Sequence, residues 1–278
     1  MHDGIEGLKA LRRLLLGVVR SFRRRTEPHA AELSPASVKP VRLGRTMVHL
    51  LIRGASRSPH VLVNVHENER TSVESALHVL RDLDGKLIAL KAQGSRNVVF
   101  WTGWRPHVFD PNRIFSDGGI EATLRFHASD SEQARRALAG LRRAILAEIE
   151  SAEPELVIAL HNNGLGHYEV ASFLPGAPRE PEATCVHADA AADGGDFFLV
   201  TRLSAYQSLA GRGYGVVLLR PDAHDDGSMA HAFLHAAAAS YVNVEARHGH
   251  RDQQCEMLRL ALSGVQEPSR AGSNELQF

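Results

Sequence analysis

Two short apolar runs, Val61-Leu62-Val63-Asn64-Val65 and Leu156-Val157-Ile158-Ala159-Leu160, each break off at a histidine, His66 and His161. Runs of this length bounded by polar residues read as buried strands. They belong to a longer pattern that starts near residue 41, in which short β-branched runs alternate with helical stretches. That alternation predicts an α/β protein with a mixed, mostly parallel central sheet and helices on both faces. The expected strands are Met47–Ile52, Val61–His66, Leu87–Lys91, Val98–Trp101, Leu156–His161, Phe197–Thr201, Val216–Arg220 and Tyr241–Ala246. The expected helices are Thr71–Leu83, Ser131–Ala152, Ser204–Leu209, Ser228–Ala239 and Gln253–Leu262. Asp130-Ser131 suits a helix cap, and Ala134, Ala137, Leu138, Leu141, Ile145 and Ile149 form an apolar stripe at helical spacing behind it.

A chain of 278 residues, 44% of them hydrophobic, buries about three quarters of its unfolded surface. It needs no metal or disulfide merely to hold together, so a metal site here would serve chemistry. Thirty-two basic residues balance thirty-two acidic ones, which leaves no overall field to attract nucleic acid. Cys185 and Cys255 are too few for a disulfide framework or a thiolate zinc site. The organisation expected is a basic helix and linker over residues 1–40, one domain over 41–266 and a tail over 267–278. The apolar run Leu14–Val19 is too short to cross a bilayer and is followed by Arg20 and Arg23-Arg24-Arg25. A solvated helix is the plainer reading of that segment, with contact to a membrane surface or a partner as the alternative. Absence of a secretory signal pattern places the expectation in the cytoplasm.

Four local patterns carry chemistry. His66-Glu67-Asn68-Glu69 sets an imidazole and a carboxylate three apart at a strand-to-helix junction, where they can converge on one ion. The same spacing recurs at His29 and Glu32, in a polar linker with no strand before it. His161 ends a second buried strand; alone it would read as a structural histidine, but with His66 and Glu69 it completes a two-histidine, one-carboxylate set. Asn112-Arg113 offers an amide and a forked guanidinium suited to a free carboxylate, although a surface turn has the same sequence. Glu245, on the alternating run Ala239–Ala246, can serve as a general base, or can face solvent from an edge strand. Asn162, Asn163 and Tyr168 follow His161 closely enough to line a pocket, in a Gly- and Pro-rich segment, residues 162–195, that reads as a long loop. His248-Gly249-His250 is a weaker metal pattern, and Asp226 or Ser228 suits a helix cap. No Gly-x-Ser-x-Gly elbow or Walker phosphate loop is present.

In this order, His66-x-x-Glu69, Arg105, Asp110-Pro111-Asn112-Arg113, His161 and Glu245, the chain resembles the aspartoacylase and succinylglutamate desuccinylase family of the zinc carboxypeptidase clan. The match in order and spacing covers residues 59–161; the last hundred residues match only through the Glu. Val65 stands where the family usually has Gly, Pro111 replaces Leu, and residues 162–195 are inserted before Glu245. The resemblance implies a zinc carboxypeptidase-like fold holding one Zn²⁺ on His66, Glu69 and His161. It further implies that Arg105 polarises the scissile carbonyl, that Asn112 and Arg113 clamp a substrate carboxylate, and that Glu245 activates the water, with Glu169 as the alternative base.

The expected activity is therefore zinc-dependent hydrolysis of an amide near a free carboxylate, of the N-acyl amino acid deacylase or carboxypeptidase type, on a small molecule or peptide. A carboxypeptidase or amidase acting on cell-wall peptides is a second reading, and a non-catalytic binding module that keeps the fold is a third.

Overall fold

The structure, a computed structural model, describes residues 36–166, 168–236 and 239–265. The basic amino-terminal run, the His29–Glu32 pair and the carboxyl-terminal tail lie outside these residues. The described elements are β1 (Ser37–Leu43), β2 (Thr46–Arg53), β3 (His60–Asn64), α1 (Arg70–Val79), β4 (Lys86–Lys91), β5 (Val98–Thr102), β6 (Arg105–Phe109), α2 (Asp117–Phe126), α3 (Glu132–Glu150), β7 (Leu156–Asn163), β8 (Ala183–His187), β9 (Phe197–Val200), α4 (Leu203–Leu209), β10 (Gly215–Leu219), α5 (Met229–Leu234), β11 (Ser240–Arg247) and α6 (Arg251–Gly264). Single 3-10 turns cover Pro111–Arg113, Val170–Phe173 and Glu180–Glu182.

Nine strands form one sheet in the order β1-β2-β4-β3-β7-β11-β9-β10-β8, and β5 with β6 makes a separate hairpin. The expected α/β class with a mixed sheet is what forms. The centre, β4-β3-β7-β11, is parallel throughout; towards the flanks β1-β2, β2-β4, β11-β9 and β10-β8 pair antiparallel, while β9 and β10 are parallel to each other. Within the centre, β3, β4 and β7 are written around near-continuous apolar runs, as strands covered on both faces commonly are, while β11 interleaves Asn243, Glu245 and Arg247 with its apolar residues.

Alternation along β7 assigns its faces. Val157 and Ala159 point into the cluster built by α2, α3 and α5, with Ile120, Leu124, Leu138, Leu141 and Met229. Leu156, Ile158 and Leu160 point into the other cluster, with Val73 and Ala76 of α1, Ala205 of α4, and Met257 and Leu258 of α6. Each fully buried aliphatic side chain contributes about 1.5–3 kcal/mol, so the two layers fix the register of β7 firmly. A slip by one residue would exchange its faces. By this parity His161 faces the α2, α3 and α5 side.

Three departures from the expected layout have physical reasons. Residues 37–40 belong to edge strand β1 rather than to a linker; Pro40 is tolerated because β1 pairs on one side only. The segment 162–195 is not all loop, since it contains edge strand β8, whose half-exposed residues give no apolar run. Helix α2 was not expected, because its first turn, Asp117-Gly118-Gly119, reads as a breaker.

Gly119 has a packing role. A Cβ there would lie 2.3 Å from Gly227 Cα and 2.6 Å from the Arg113 carbonyl oxygen. Gly227 itself sits at φ +77°, and its carbonyl accepts from the Phe115 N–H at 2.9 Å. Gly119→Ala is expected to lower stability by about 1–3 kcal/mol, read in urea unfolding. An unchanged midpoint would show that the 225–228 loop is not seated on α2.

Candidate metal centre and active site

The parallel strands deliver their carboxyl ends to one place, as open α/β sheets do for ligands. β3 ends at Asn64, and the chain continues through Val65 to His66, which is fully buried. Glu69 occupies the residue before α1 and is likewise buried. His161 lies near the end of β7, and its register partner on the adjacent parallel strand is Glu245 of β11. β11 is therefore a central buried strand, not an edge.

The three expected ligands meet. His66 Nδ1 lies 2.8 Å from Glu69 Oε1, His161 Nδ1 lies 3.0 Å from Glu69 Oε2, and the ring centroids are 5.2 Å apart. One donor atom from each residue falls within 4.8 Å of the others, a set that could hold a metal ion. Behind it, Asp110 Oδ1 lies 2.7 Å from His66 Nε2 and also accepts from the Asn112 N–H at 2.8 Å. A carboxylate on the far nitrogen of a histidine is the usual outer support of a metal-binding imidazole.

Burial alone would neutralise His66, Glu69 and Asp110, and their mutual contacts override it. Desolvation disfavours the His66 imidazolium, but Glu69 and Asp110 push its pKa up to about 9. Desolvation favours protonated Glu69, but His161 and His66 pull it down to about 2. Asp110 is likewise buried, yet its hydrogen bond from His66 and the charges of His66 and Arg96 hold it below the usual carboxylate range.

A cavity of about 440 Å³ opens in front of these residues, lined among others by Glu69, Asn112, Arg113, His161, Tyr168 and Glu245. Burial raises the Glu245 pKa, helped by the Glu69 charge and opposed by His161 and two amides. The amides are Asn243, whose Nδ2 donates to Oε1 at 3.1 Å, and Asn163, whose Nδ2 donates to Oε2 at 3.4 Å. Glu169, the alternative base, is turned away: Arg247 donates to its Oε1 at 2.7 Å and holds its carboxyl low. Tyr168 packs edge-on to Phe173, with Arg179 4.8 Å above its ring, and burial pushes its phenol pKa up.

Of the expected site residues, Arg105 is placed elsewhere and Asn162 is tied up in holding the fold. Arg105 is exposed at the start of β6, where its charge acts on Asp130, and it does not line the cavity. Five residues of extended chain at about 3.3 Å each carry it roughly 16 Å from Asp110 along the hairpin. The arginine at the centre is Arg96, which donates to Glu69 Oε1 at 3.0 Å and to Asp110 Oδ2 at 3.3 Å. Its loop is pinned by Glu67, whose Oε2 accepts from the Ala92 and Gly94 N–H groups, each at 2.7 Å. Asn162 borders the cavity, but its amide is occupied. Its Oδ1 accepts from Ser72 N–H at 2.9 Å, and its Nδ2 donates to Gln254 Oε1 at 2.9 Å and Ala246 O at 3.3 Å. It ties β7 to α1 and α6. His250 pairs with Asp196 and joins no metal cluster among the described residues.

No sequence-family model and no curated protein sequence matches the chain. Among solved structures it is similar to the ectoine utilization protein EutE of Ruegeria pomeroyi, 14% identical over 85% of this chain and 68% of that one, with a TM-score of 0.43. It is also similar to an aspartoacylase family protein of Mesorhizobium loti, 12% identical over 84% and 70% of the two chains, with a TM-score of 0.41. The likeness is distant. It assigns no activity, and the functional reading rests on the side chains themselves.

Proposed function

We propose that the protein is a zinc-dependent hydrolase of an amide bond next to a free carboxylate. The observation that carries this reading is the meeting of His66 Nδ1, His161 Nδ1 and both Glu69 oxygens, with Glu245 the register partner of His161 on the adjacent buried strand. Two neutral imidazoles and one carboxylate, with outer support from Asp110, fit a catalytic zinc site that leaves a position open. A bound zinc ion would supply Lewis acidity and a nucleophilic water near neutral pH.

The chain's own groups do the rest. Glu245, held by Asn163 and Asn243 and made more basic by burial, takes a proton from water and later gives it to the departing amine. Asn112 and Arg113, which line the same cavity, orient the substrate carboxylate. Arg96, already beside Glu69, is the guanidinium placed to favour negative charge developing on the carbonyl oxygen.

The test is the metal content of the purified protein together with hydrolysis of a panel of N-acetyl amino acids. The expected result is close to one zinc per chain and activity that a chelator removes and zinc restores. A protein without stoichiometric metal that cleaves nothing in the panel would instead be a binding module. Asp110→Asn is expected to weaken zinc affinity by about 10–100-fold, measured by competition with a chromophoric chelator. Equal affinity would remove Asp110 from that supporting role.

A further inference from the structure

The arginine expected to grip a substrate carboxylate already has a carboxylate of its own. Arg113 Nη1 donates to Asp226 Oδ2 at 2.5 Å, and both side chains are about one-third exposed, facing the cavity. This pair is built in rather than incidental. Asp226 Oδ1 accepts from Ser228 N–H at 2.9 Å, Asn112 Oδ1 accepts from Met229 N–H at 3.2 Å, and the Phe115 N–H donates to Gly227 O at 2.9 Å. Gly227 and Gly119 meet with no room for a Cβ on either. The loop bearing Asp226 is thus fixed to the segment bearing Arg113. Arg179, which also lines the cavity, is matched in the same way, donating to Glu182 at 3.0 Å.

We propose that Asp226 is a specificity-determining residue, which selects a substrate end group carrying a cation as well as a carboxylate. A simple anion that takes Arg113 leaves Asp226 without its partner in a partly desolvated wall, and that loss offsets the new contact. An end group with both charges lets the anion meet Arg113 while the cation meets Asp226, so no charge is left alone. The proposal rests on reading the cavity as the substrate site, but not on turnover.

The test uses Nα-acetyl-lysine and Nα-acetyl-norleucine, which differ chiefly in the terminal ammonium, with affinities from calorimetry on zinc-loaded Glu245→Gln protein, where turnover is suppressed. The lysine compound is expected to bind about tenfold more tightly, the low end for close charge pairs across an interface. Adding Asp226→Asn should abolish that preference and tighten the norleucine compound; Asp226→Ser, a second variant, should do the same. Equal or weaker binding of the lysine compound, a preference that survives both substitutions, or no binding of either probe would each overturn the proposal. Hydrolysis failing while the preference behaves as expected would overturn the enzymatic reading alone.

Discussion

Glu245→Gln is expected to reduce turnover by about 10²–10⁴-fold, the range for losing a positioned general base, with zinc content unchanged. The substitution keeps the shape of the side chain and its place beside His161, and both amide neighbours can still contact it. What disappears is a carboxylate able to hold a proton between the two halves of the reaction. Glu169→Gln supplies the contrast. That side chain is ion-paired to Arg247 at 2.7 Å outside the cavity, so its loss should leave turnover near the parent value. Turnover that survives in Glu245→Gln and collapses in Glu169→Gln would reverse the assignment. A Glu245→Gln protein with lost zinc would show a ligand or supporting role instead.

How far the sequence disclosed this site depended on where each residue sits relative to a buried strand. His66, Glu69 and His161 were legible because β3 and β7 are unbroken apolar runs that end at them, and the strand ends of a parallel centre converge. Glu245 was legible as chemistry but not as geometry. Its pairing with His161 needs the register of β11 on β7, which no local pattern states. Arg105 misled because spacing in sequence is not spacing in space: eight residues that cross strand β6 and a 3-10 turn leave Arg113 at the cavity and Arg105 outside it. Arg96 and Asp226 come from loops whose placement is set by distant backbone contacts, through Glu67 in one case and Gly119 in the other. The same logic governs the fold. β3 and β7 announce themselves as doubly covered strands, whereas β11 alternates polar with apolar residues and reads equally as an edge, and β1 and β8, covered less completely at the sheet edges, carry mixed residues that read as linker and loop.

Glu69→Gln is expected to weaken zinc binding by more than the ~10–100-fold foreseen for Asp110→Asn, because it removes a ligand rather than its support. It should also change how uptake depends on protons. In the metal-free protein His66 is held protonated up to about pH 9 by Glu69 and Asp110, whereas a zinc-binding imidazole must be neutral. Loading the parent protein at pH 8 should therefore release close to one proton from His66, read from calorimetric heats in buffers of different ionisation enthalpy. Apparent affinity should climb with pH until about 9. Without the Glu69 charge His66 gives up its proton earlier, so Glu69→Gln should release less at pH 8. The stability of the metal-free protein follows the same charges. Glu69, lowered from 4.5 to about 2, stabilises the fold above pH 4.5 and loses that contribution as pH falls through 2. His66, raised from 6.5 to about 9, stabilises it below 6.5 and loses that contribution as pH rises through 9. Both are fully present only between about 4.5 and 6.5, so removing Glu69 should cost the metal-free protein most in that window. Zinc uptake in the parent protein that releases no proton at pH 8 would mean that the ion is not displacing the His66 proton.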